Sequence, residues 1–219
     1  MADEDEAISY ISIIDISGYE STLSNGFEQL CINYTNDKLQ QIFNEMIYKE
    51  QAEYKLELGW EPLDFDMNLR QSLQTLDKKQ TGLFALLDEI CYHENSVDED
   101  FVRELGICHQ NNPAIQVKPP KQFVVNHGPG GVMYDAKEFL IKNRDLLANS
   151  IVAMIQQSNN AFLKTMFEAT GTRAKSIGSS CMAQMSDLID AILETDYSFI
   201  KCVKPNKSKS PLLNLTHFR

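Results

Sequence analysis

One uninterrupted helical segment constrains the fold of this chain more than any other feature. Residues 27–58 contain neither proline nor glycine. Within them, apolar side chains recur at roughly helical spacing, at Phe27, Leu30, Cys31, Tyr34, Ile42, Phe43, Met46 and Ile47. At 1.5 Å per residue this pattern predicts a helix of about 45 Å, which is unusually long for a globular chain. Asn25, with Glu28 three residues later, predicts a capping box at its start. Gly59 and Pro62 predict its end.

The remaining patterns predict an α+β chain that is mainly helical. Residues 8–14 are rich in β-branched side chains and predict a buried strand, and a second strand is expected at residues 197–203. Residues 122–126 and 132–134 predict a hairpin around Gly128-Pro-Gly-Gly131. The other expected helices lie at 69–77, 83–92, 98–105, 135–147, 149–157 and 161–169, and one more carries Met182, Met185, Ile189, Ile192 and Leu193. Thr81 is the expected cap of helix 83–92, and Asp135 with Glu138 is the expected capping box of helix 135–147. Surface loops are expected at 106–121 and 170–180.

Charge is divided unevenly between the two halves of the chain. The formal net charge is −11, but residues 1–110 carry 23 acids against 7 bases, whereas residues 111–219 carry 8 acids against 13 bases. A basic surface for an acidic partner is therefore expected in the second half. With 43% hydrophobic and 23% charged residues, the composition is that of a folded chain and excludes global disorder.

Cysteine usage and the N-terminal sequence predict the cellular compartment. The five cysteines are odd in number and include no CxxC pair, a usage typical of reduced thiols in the cytosol. The N-terminus is acidic where a targeting peptide needs positive charge, and the longest apolar run is shorter than a membrane span. We therefore expect a cytoplasmic protein with no membrane insertion and no nucleic-acid partner.

The hexapeptide Asp15-Ile-Ser-Gly-Tyr-Glu20 directly follows the first predicted strand. Nucleotide-binding α/β sheets place their ligands at such strand ends. An aspartate there can hold a magnesium-bound water, a glycine lets a backbone N–H approach a phosphate, and a glutamate can pair with an arginine across the site. On spacing alone, the same residues also fit a strand, a turn and surface acids.

Several motifs, in order along the chain, together resemble myosin motor domains. The segment from Asn25 to Phe43 (NGFEQLCINYTNDKLQQIF) resembles the start of the relay helix, and the hexapeptide before it resembles switch II. The segment from Gly82 to Glu89 resembles the first helix of the lower 50-kDa actin-binding helix-loop-helix. Further matches are Asp64-Phe-Asp-Met-Asn-Leu69, Phe123-Val-Val-Asn-His127, Lys142-Asn-Arg-Asp145, Gly178-Ser-Ser180 and Phe199-Ile-Lys-Cys-Val-Lys-Pro-Asn206. The resemblance spans about residues 8–206 and implies a fragment of the P-loop-type motor fold, with a few strands of its central sheet.

The resemblance implies five regions. These are a terminal strand with switch II at 1–25, a relay helix and relay loop at 26–68, a lower 50-kDa subdomain with the helix-loop-helix at 69–169, a loop-2-like linker at 170–180, and a helix with a sheet strand and truncated tail at 181–219. Asn25 and Phe27 would begin the relay helix, and Trp60 would contact the lever-arm converter at its far end. A small shift of switch II would thus become a larger movement.

The same resemblance implies roles for the switch II residues. Asp15 would lie near Mg²⁺ through a bound water, the Gly18 amide would bind the γ-phosphate, and Ser17 would be a further nucleotide-binding residue. Glu20 would pair with a switch I arginine and help to position the attacking water. ATP and Mg²⁺ are therefore the implied cofactors of the complete motor. Tyr19 stands where the family usually has phenylalanine, and its extra hydroxyl is expected to change little.

The implied partners are an actin filament and the remainder of the myosin head. The implied actin contacts are the helix-loop-helix tip, Tyr92, His93, Glu94, Asn95, Ser96 and Val97, and the loop-2-like bases Arg173 and Lys175. The two bases would steer association with acidic actin, and apolar groups at the tip would supply short-range affinity. His93-Glu94 replaces the apolar-proline sequence common at this tip, which weakens the case for apolar contact there.

The sequence contains no Gly-x-x-x-x-Gly-Lys-Ser/Thr P-loop and no switch I segment before Asp15. We therefore expect that this chain alone neither binds ATP tightly nor hydrolyses it, although the complete protein would be an actin-activated ATPase of the actin cytoskeleton. One alternative is a non-enzymatic actin-binding module that kept the filament face. Another is a metal-binding protein that uses Cys91, His93, Cys108 and His109, although adjacent Cys108 and His109 fit zinc geometry poorly.

Overall fold

A computed structural model describes residues 10–59, 67–144, 149–166 and 176–200. Its longest element, helix α1 (Phe27–Leu58), confirms the predicted helix with the predicted bounds. Gly59 ends α1 in a left-handed conformation (φ 65°) and donates its N–H to the Lys55 carbonyl. The predicted cap at Asn25 is wrong by one residue. The N-cap is Gly26, whose N–H donates to Gln29 Oε1 at 2.9 Å.

Seven shorter helices and one sheet follow among the described residues. The helices are α2 (Met67–Asp77), α3 (Leu83–Cys91), α4 (Asp98–Cys108), α5 (Phe139–Asn143), α6 (Asn149–Gln156), α7 (Ala161–Met166) and α8 (Ile177–Leu193). The strands are β1 (Ile115–Lys118), β2 (Gln122–His127) and β3 (Gly130–Asp135), paired antiparallel in that order. Val125 lies opposite Ile115 on one side and Val132 on the other. The predicted hairpin is therefore confirmed as β2 and β3.

An aromatic core holds the start of α1 against α4, α5 and the sheet. Its rings are Phe27, Phe101, Phe123, Tyr134 and Phe139, all buried. Neighbouring centroids lie 5.4 to 6.1 Å apart, in stacked and edge-to-face pairs. Each such pair adds about 0.5–1.5 kcal/mol beyond the burial of its area. The first turns of α1 and the hairpin thus form one packed unit.

The turn before α1 is joined to β3 through Asn25. The Asn25 carbonyl accepts the Asp135 N–H at 2.9 Å, and its side-chain amide donates to the Met133 carbonyl at 2.8 Å. Asn25 Oδ1 accepts the Thr22 N–H at 2.8 Å. Because both ends of this amide are engaged, the side chain is not available to cap the helix amides.

Two predicted strands are absent from the described residues that should contain them. Residues 10–14 form no strand, and Ile11 and Ile13 are 95% and 87% exposed. Residues 197–200 are likewise not in a strand. A β-branched run becomes a strand only where a neighbour accepts its backbone hydrogen bonds, and no strand in the described part of the chain lies beside either segment. Residues 8–9 and 201–203 lie outside the described residues.

Three other boundaries differ from the predictions. The expected loop 106–121 contains the end of α4 and all of β1. The expected helix 135–147 begins at Phe139, because Asp135 is the last residue of β3. Thr81 is not the cap of α3, since Gly82 occupies that position. A Cβ at Gly82 would meet the Lys78 backbone at 2.6 Å, so only glycine fits there.

Residues up to Met185 and residues from Ser186 onward form two separate compact units. In the second unit, the described residues comprise the end of α8 and a segment in which Tyr197 and Phe199 form an edge-to-face ring pair at 6.0 Å. The helix α8 begins at Ile177, so the predicted loop 170–180 ends earlier than expected. No described helix is both long enough and apolar enough to span a membrane.

Candidate functional site

Residues 17–20 are held along one face of α1 by three amide side chains. Asn36 Nδ2 donates to the Ser17 carbonyl at 2.9 Å. Asn33 accepts the Glu20 N–H and donates to the Glu20 carbonyl, both at 2.8 Å. Gln29 Nε2 donates to the Glu20 carboxylate at 3.1 Å. Positions 29, 33 and 36 share a helix face, and we call these three side chains the α1 clamp.

A fully buried carboxylate, Asp37, lies one turn beyond Asn33 on the same face. Its Oδ1 accepts the Tyr19 hydroxyl, by a very short contact, and the Gly128 N–H at 3.1 Å. Its Oδ2 accepts His127 Nδ1–H at 2.7 Å and the Ser72 hydroxyl at 3.3 Å. A buried carboxylate is costly unless such donors surround it. The Tyr19 hydroxyl, expected to change little, is therefore one of four donors that stabilise this charge.

The hydrogen bonds of Tyr134 assign the protons in this network. Asn33 Nδ2, which can only donate, lies 2.7 Å from the Tyr134 hydroxyl oxygen. With a neutral imidazole, the hydroxyl proton is donated to His127 Nε2, also at 2.7 Å, and His127 Nδ1 carries the proton that faces Asp37. Burial is the main cause that raises the pKa of Tyr134 above its ordinary value. Tyr19 also has a raised pKa, first from burial and then from the Asp37 carboxylate.

Together these contacts form one polar network, which we call the Asp37 network; it comprises Tyr19, Asn33, Asp37, Ser72, His127 and Tyr134. It joins residues 17–20 to α1, α2 and the β2–β3 hairpin. Because Asp37 and His127 are fully buried, they are suited to position backbone segments rather than to react with a dissolved substrate. Sequence reasoning missed Asp37 and His127, because positions 33 and 37 lie beside the apolar stripe of α1 and carry no signal of burial of their own.

The predicted nucleotide contacts lie at the surface. Asp15, Ser17 and Gly18 are exposed, and a Cβ placed on Gly18 would meet nothing within 4 Å. Glu20 is half-buried because the α1 clamp holds it. Among the described residues, no three His, Cys, Asp or Glu side chains are arranged to hold a metal ion. The described residues therefore do not by themselves fit Mg²⁺ or a phosphate.

A second polar junction fixes the start of α8. The Asp88 carboxylate of α3 accepts the hydroxyls of Ser176 and Ser179 by very short contacts, and it accepts Asn143 Nδ2–H at 2.8 Å. Asn143 Oδ1 accepts the Gly178 N–H at 2.8 Å. A Cβ at Gly178 would lie 2.9 Å from both Asn143 Oδ1 and a carbon of the Phe84 ring, so glycine is required there. This junction joins α3, α5 and α8.

The helix-loop-helix predicted for actin contact is present as α3, residues 92–97 and α4. His93, Glu94, Asn95 and Val97 are exposed, while Tyr92 and Ser96 are half-buried. The tip is fixed to α5, because the Asp98 carboxylate accepts the N–H groups of Glu138 at 2.7 Å and Leu140 at 3.1 Å. Beside it lies a groove of about 440 Å³ with mixed polar and apolar lining. The predicted contacts Arg173 and Lys175, and the relay residue Trp60, lie outside the described residues.

The four residues of the metal-binding alternative do not converge on a metal site. Both ring nitrogens of His109 have protein partners, the Thr81 carbonyl at 2.9 Å and Asn112 Nδ2 at 3.1 Å. Cys91 is buried, and its thiol donates to the Asp88 carbonyl at 3.3 Å. Cys108 is exposed. We therefore discard this alternative.

Comparison with known proteins shows the family to which this chain is similar. The family profile described as myosin head (motor domain) matches residues 1–214. Myosin-17 of Arabidopsis thaliana is 36% identical over 214 residues, which cover 93% of this chain and 14% of that protein. The non-muscle myosin heavy chain of Drosophila melanogaster is 33% identical, with 93% and 11% covered, and the myosin-I heavy chain of Dictyostelium discoideum is 32% identical, with 93% and 9% covered. The chain thus spans between 9% and 14% of the length of these three relatives.

Proposed function

This chain belongs to the myosin head (motor domain) family, and we propose that within a motor it transmits conformational changes from residues 15–20 to α1. The observation that carries the proposal is that residues 17–20 are hydrogen-bonded to one face of a single long helix. In this assignment residues 15–20 are switch II and α1 is the relay helix. Three clamp side chains and the buried Asp37 all contact the segment from α1.

The contacts support a mechanical role because they join backbone to helix. Asn33 binds both the N–H and the carbonyl of Glu20, so the backbone of Glu20 cannot shift without moving α1 or breaking two hydrogen bonds. Breaking these two neutral hydrogen bonds would cost about 1 kcal/mol each. This cost favours a movement of α1 together with residues 17–20 over a separation of the two segments. The Asp37 network extends the same linkage to the hairpin.

Hydrogen exchange tests whether this linkage holds in solution. We expect the Glu20 amide, bound to Asn33 Oδ1, to exchange more slowly than the exposed Gly18 amide, and Asn33→Ala to remove that protection. The matched control is Gln41→Ala, because Gln41 also lies on α1 but bonds Glu45 of the same helix at 3.0 Å. Equal exchange of the Glu20 and Gly18 amides in the unmodified chain would contradict the proposed linkage.

For ATP, we propose that Asp15, Ser17, Gly18 and Glu20 supply only part of the nucleotide site. The exposed positions of Asp15 and Gly18 are consistent with a site completed by other segments of a longer motor. We therefore expect no ATPase activity from the 219-residue chain. Phosphate release above that of a buffer blank, measured with purified chain and Mg-ATP, would overturn this.

For actin, we propose that the exposed part of residues 92–97, together with Arg173 and Lys175, forms the filament-binding surface. Support comes from the position of residues 92–97 between α3 and α4. The adjacent Asp98 carboxylate holds this tip to α5 by accepting the Glu138 N–H. Co-sedimentation with filamentous actin at low salt should pellet the chain, and Val97→Asp should reduce the bound fraction. Glu57→Ala, at an exposed position on α1, is the control. No pelleting at low salt would rule out actin binding by this chain.

The alternative is a non-enzymatic actin-binding module that uses the same surface. The two hypotheses differ in whether the gene encodes a P-loop and switch I upstream of this chain. The presence of the helix-loop-helix among the described residues keeps this alternative open. Sequencing the transcript upstream of residue 1 separates the two. A P-loop and switch I in frame with this chain support the motor, and a stop codon directly upstream supports the module.

A further inference from the structure

His109, the residue at which α4 ends, links α4 to two other parts of the chain. Its Nε2 lies 2.9 Å from the carbonyl oxygen of Thr81, in the turn before α3. Its Nδ1 lies 3.1 Å from Nδ2 of Asn112, which precedes β1. The side chain is half-buried. A change in the protonation of this ring therefore reaches α3 and β1 as well as α4.

The side-chain amide of Asn112 can face His109 in only one orientation. Asn112 Oδ1 accepts the Ala114 N–H at 3.0 Å, and Nδ2 donates to the Thr75 hydroxyl oxygen at 2.8 Å. The Thr75 hydroxyl gives its own proton to the Gln71 carbonyl at 2.7 Å, so it can only accept from Asn112. Rotating the amide by half a turn would bring its NH₂ group against the Ala114 N–H. The group that Asn112 presents to His109 is therefore an N–H donor.

Both neighbours of the ring require the same neutral form of His109. The Thr81 carbonyl can only accept and so requires a proton on Nε2, whereas the Asn112 N–H requires a lone pair on Nδ1. A second ring proton would place two donors against each other at 3.1 Å.

The surroundings of His109 also disfavour its charged form. Burial is the main cause that lowers the pKa of His109 below its ordinary value of 6.5. The Thr81 carbonyl opposes this effect, and the nearby positive charge of Lys78, in the turn between α2 and α3, adds to it. In the described part of the chain, no carboxylate of α2, α3, α4 or β1 offsets the cost of a second proton.

We propose that His109 and Asn112 form a pH-sensitive lock at the base of the helix-loop-helix, closed at neutral pH and opened by acid. When closed, it holds the end of α4 to the turn before α3 and to the start of β1. When His109 takes up a second proton, its Nδ1–H repels the Asn112 amide, and the hydrogen bonds of that amide to Thr75 and Ala114 weaken together. Because the pKa of His109 is lowered in the folded chain, the lock contributes fully above about pH 6.5. Its contribution is lost as the pH falls through the lowered pKa.

Nuclear magnetic resonance of the ¹⁵N-labelled full chain tests the lock directly. At pH 7.5 the ring nitrogens of His109 should show the neutral form with its proton on Nε2. On acidification His109 should titrate below pH 6.5. Over the same range, the protection of the Ala114 amide against hydrogen exchange should fall about fivefold, the factor of one neutral hydrogen bond. The Asp135 amide, which donates to the Asn25 carbonyl far from the lock, should keep its protection.

One substitution should reverse the sign of the effect. Asn112→Asp replaces the N–H that faces Nδ1 with a carboxylate oxygen, and it keeps an acceptor for the Ala114 N–H. In this variant His109 should titrate above pH 6.5, and acidification from pH 7.5 to 5.5 should raise the protection of the Ala114 amide. His109→Gln, which cannot take up a proton in this range, should abolish the pH dependence.

Three results in the unmodified chain would overturn the proposal. They are a neutral His109 with its proton on Nδ1, a titration of His109 at pH 6.5 or above, and an Ala114 amide that keeps its protection while His109 is protonated. Since all three are read from the unmodified chain, a folding defect in either variant does not protect the proposal. None of them depends on nucleotide or on actin, so they are independent of the proposed motor function.

Discussion

Replacing Tyr19 with phenylalanine should destabilise the chain although it removes only one oxygen atom. The hydroxyl is one of four donors to the buried Asp37 carboxylate. A hydrogen bond to a charged group contributes about 1.5–3 kcal/mol. Because Tyr19 is only half-buried, water can replace part of this bond, and we expect a loss of about 1.5–2 kcal/mol, at the low end of that range. With an m-value of about 2 kcal/mol/M, the urea midpoint should fall by about 0.8–1 M.

The control is Tyr54→Phe, which removes the same atom from an exposed position on α1 and should leave the midpoint unchanged. A double-mutant cycle with Asp37→Asn isolates the interaction, since the cost of Tyr19→Phe should fall by at least about 1 kcal/mol once the carboxylate is neutral. Unfolding is followed by circular dichroism. If Tyr19→Phe shifts the midpoint no more than Tyr54→Phe, the hydroxyl does not stabilise Asp37 and the reasoning fails.

Three further outcomes follow from the described contacts. Burial raises the pKa of Tyr19, Tyr34 and Tyr134, so their contribution is complete below the unfolded pKa near 10 and is lost progressively above it. Well above that pKa the three groups together should lower stability by about 4 kcal/mol per pH unit, and the slope should be smaller by about 1.4 kcal/mol per pH unit in Tyr134→Phe, as measured by urea titrations at pH 9 to 11.5. Gly178→Ala should lower the melting temperature by several degrees, because the added Cβ meets the Phe84 ring at 2.9 Å; an unchanged melting temperature would contradict this packing. Lys142→Ala removes a half-exposed ion pair to α1 and should cost less than about 0.5 kcal/mol, with a smaller effect still in high salt.

Sequence patterns predicted the elements whose residues carry their own signal. The apolar stripe of α1, with glycine at its end, fixes the helix almost independently of its surroundings. The hairpin is similarly local, since Gly130 has a φ of 140° that only glycine adopts readily. By contrast, residues 10–14 have the composition of a strand, but a strand also needs a neighbouring strand to accept its hydrogen bonds. Among the described residues no strand lies beside this segment, and composition alone does not reveal that.

The Asp37 network could not be predicted because its parts are far apart in sequence. Asp37 and His127 are separated by 90 positions and meet at 2.7 Å. On α1 alone, a polar residue at 37 looks like part of a solvated face. Asp37 becomes fully buried only because the β2–β3 hairpin packs against the helix. The Tyr19 hydroxyl then donates a hydrogen bond to a buried carboxylate rather than to solvent.

The asymmetry of α1 sets how far a disturbance at one end can travel. Its first three turns carry buried side chains, at Phe27, Leu30, Asn33, Tyr34 and Asp37, whereas residues 52–58 are exposed on all sides. From Asn36 to Leu58 the helix extends about 33 Å at 1.5 Å per residue. A tilt of about 10° at the clamp would therefore carry Leu58 through about 6 Å at that axial rise. A tilt of that size would therefore move the exposed end of α1 by more than the rise of one helical turn, about 5.4 Å.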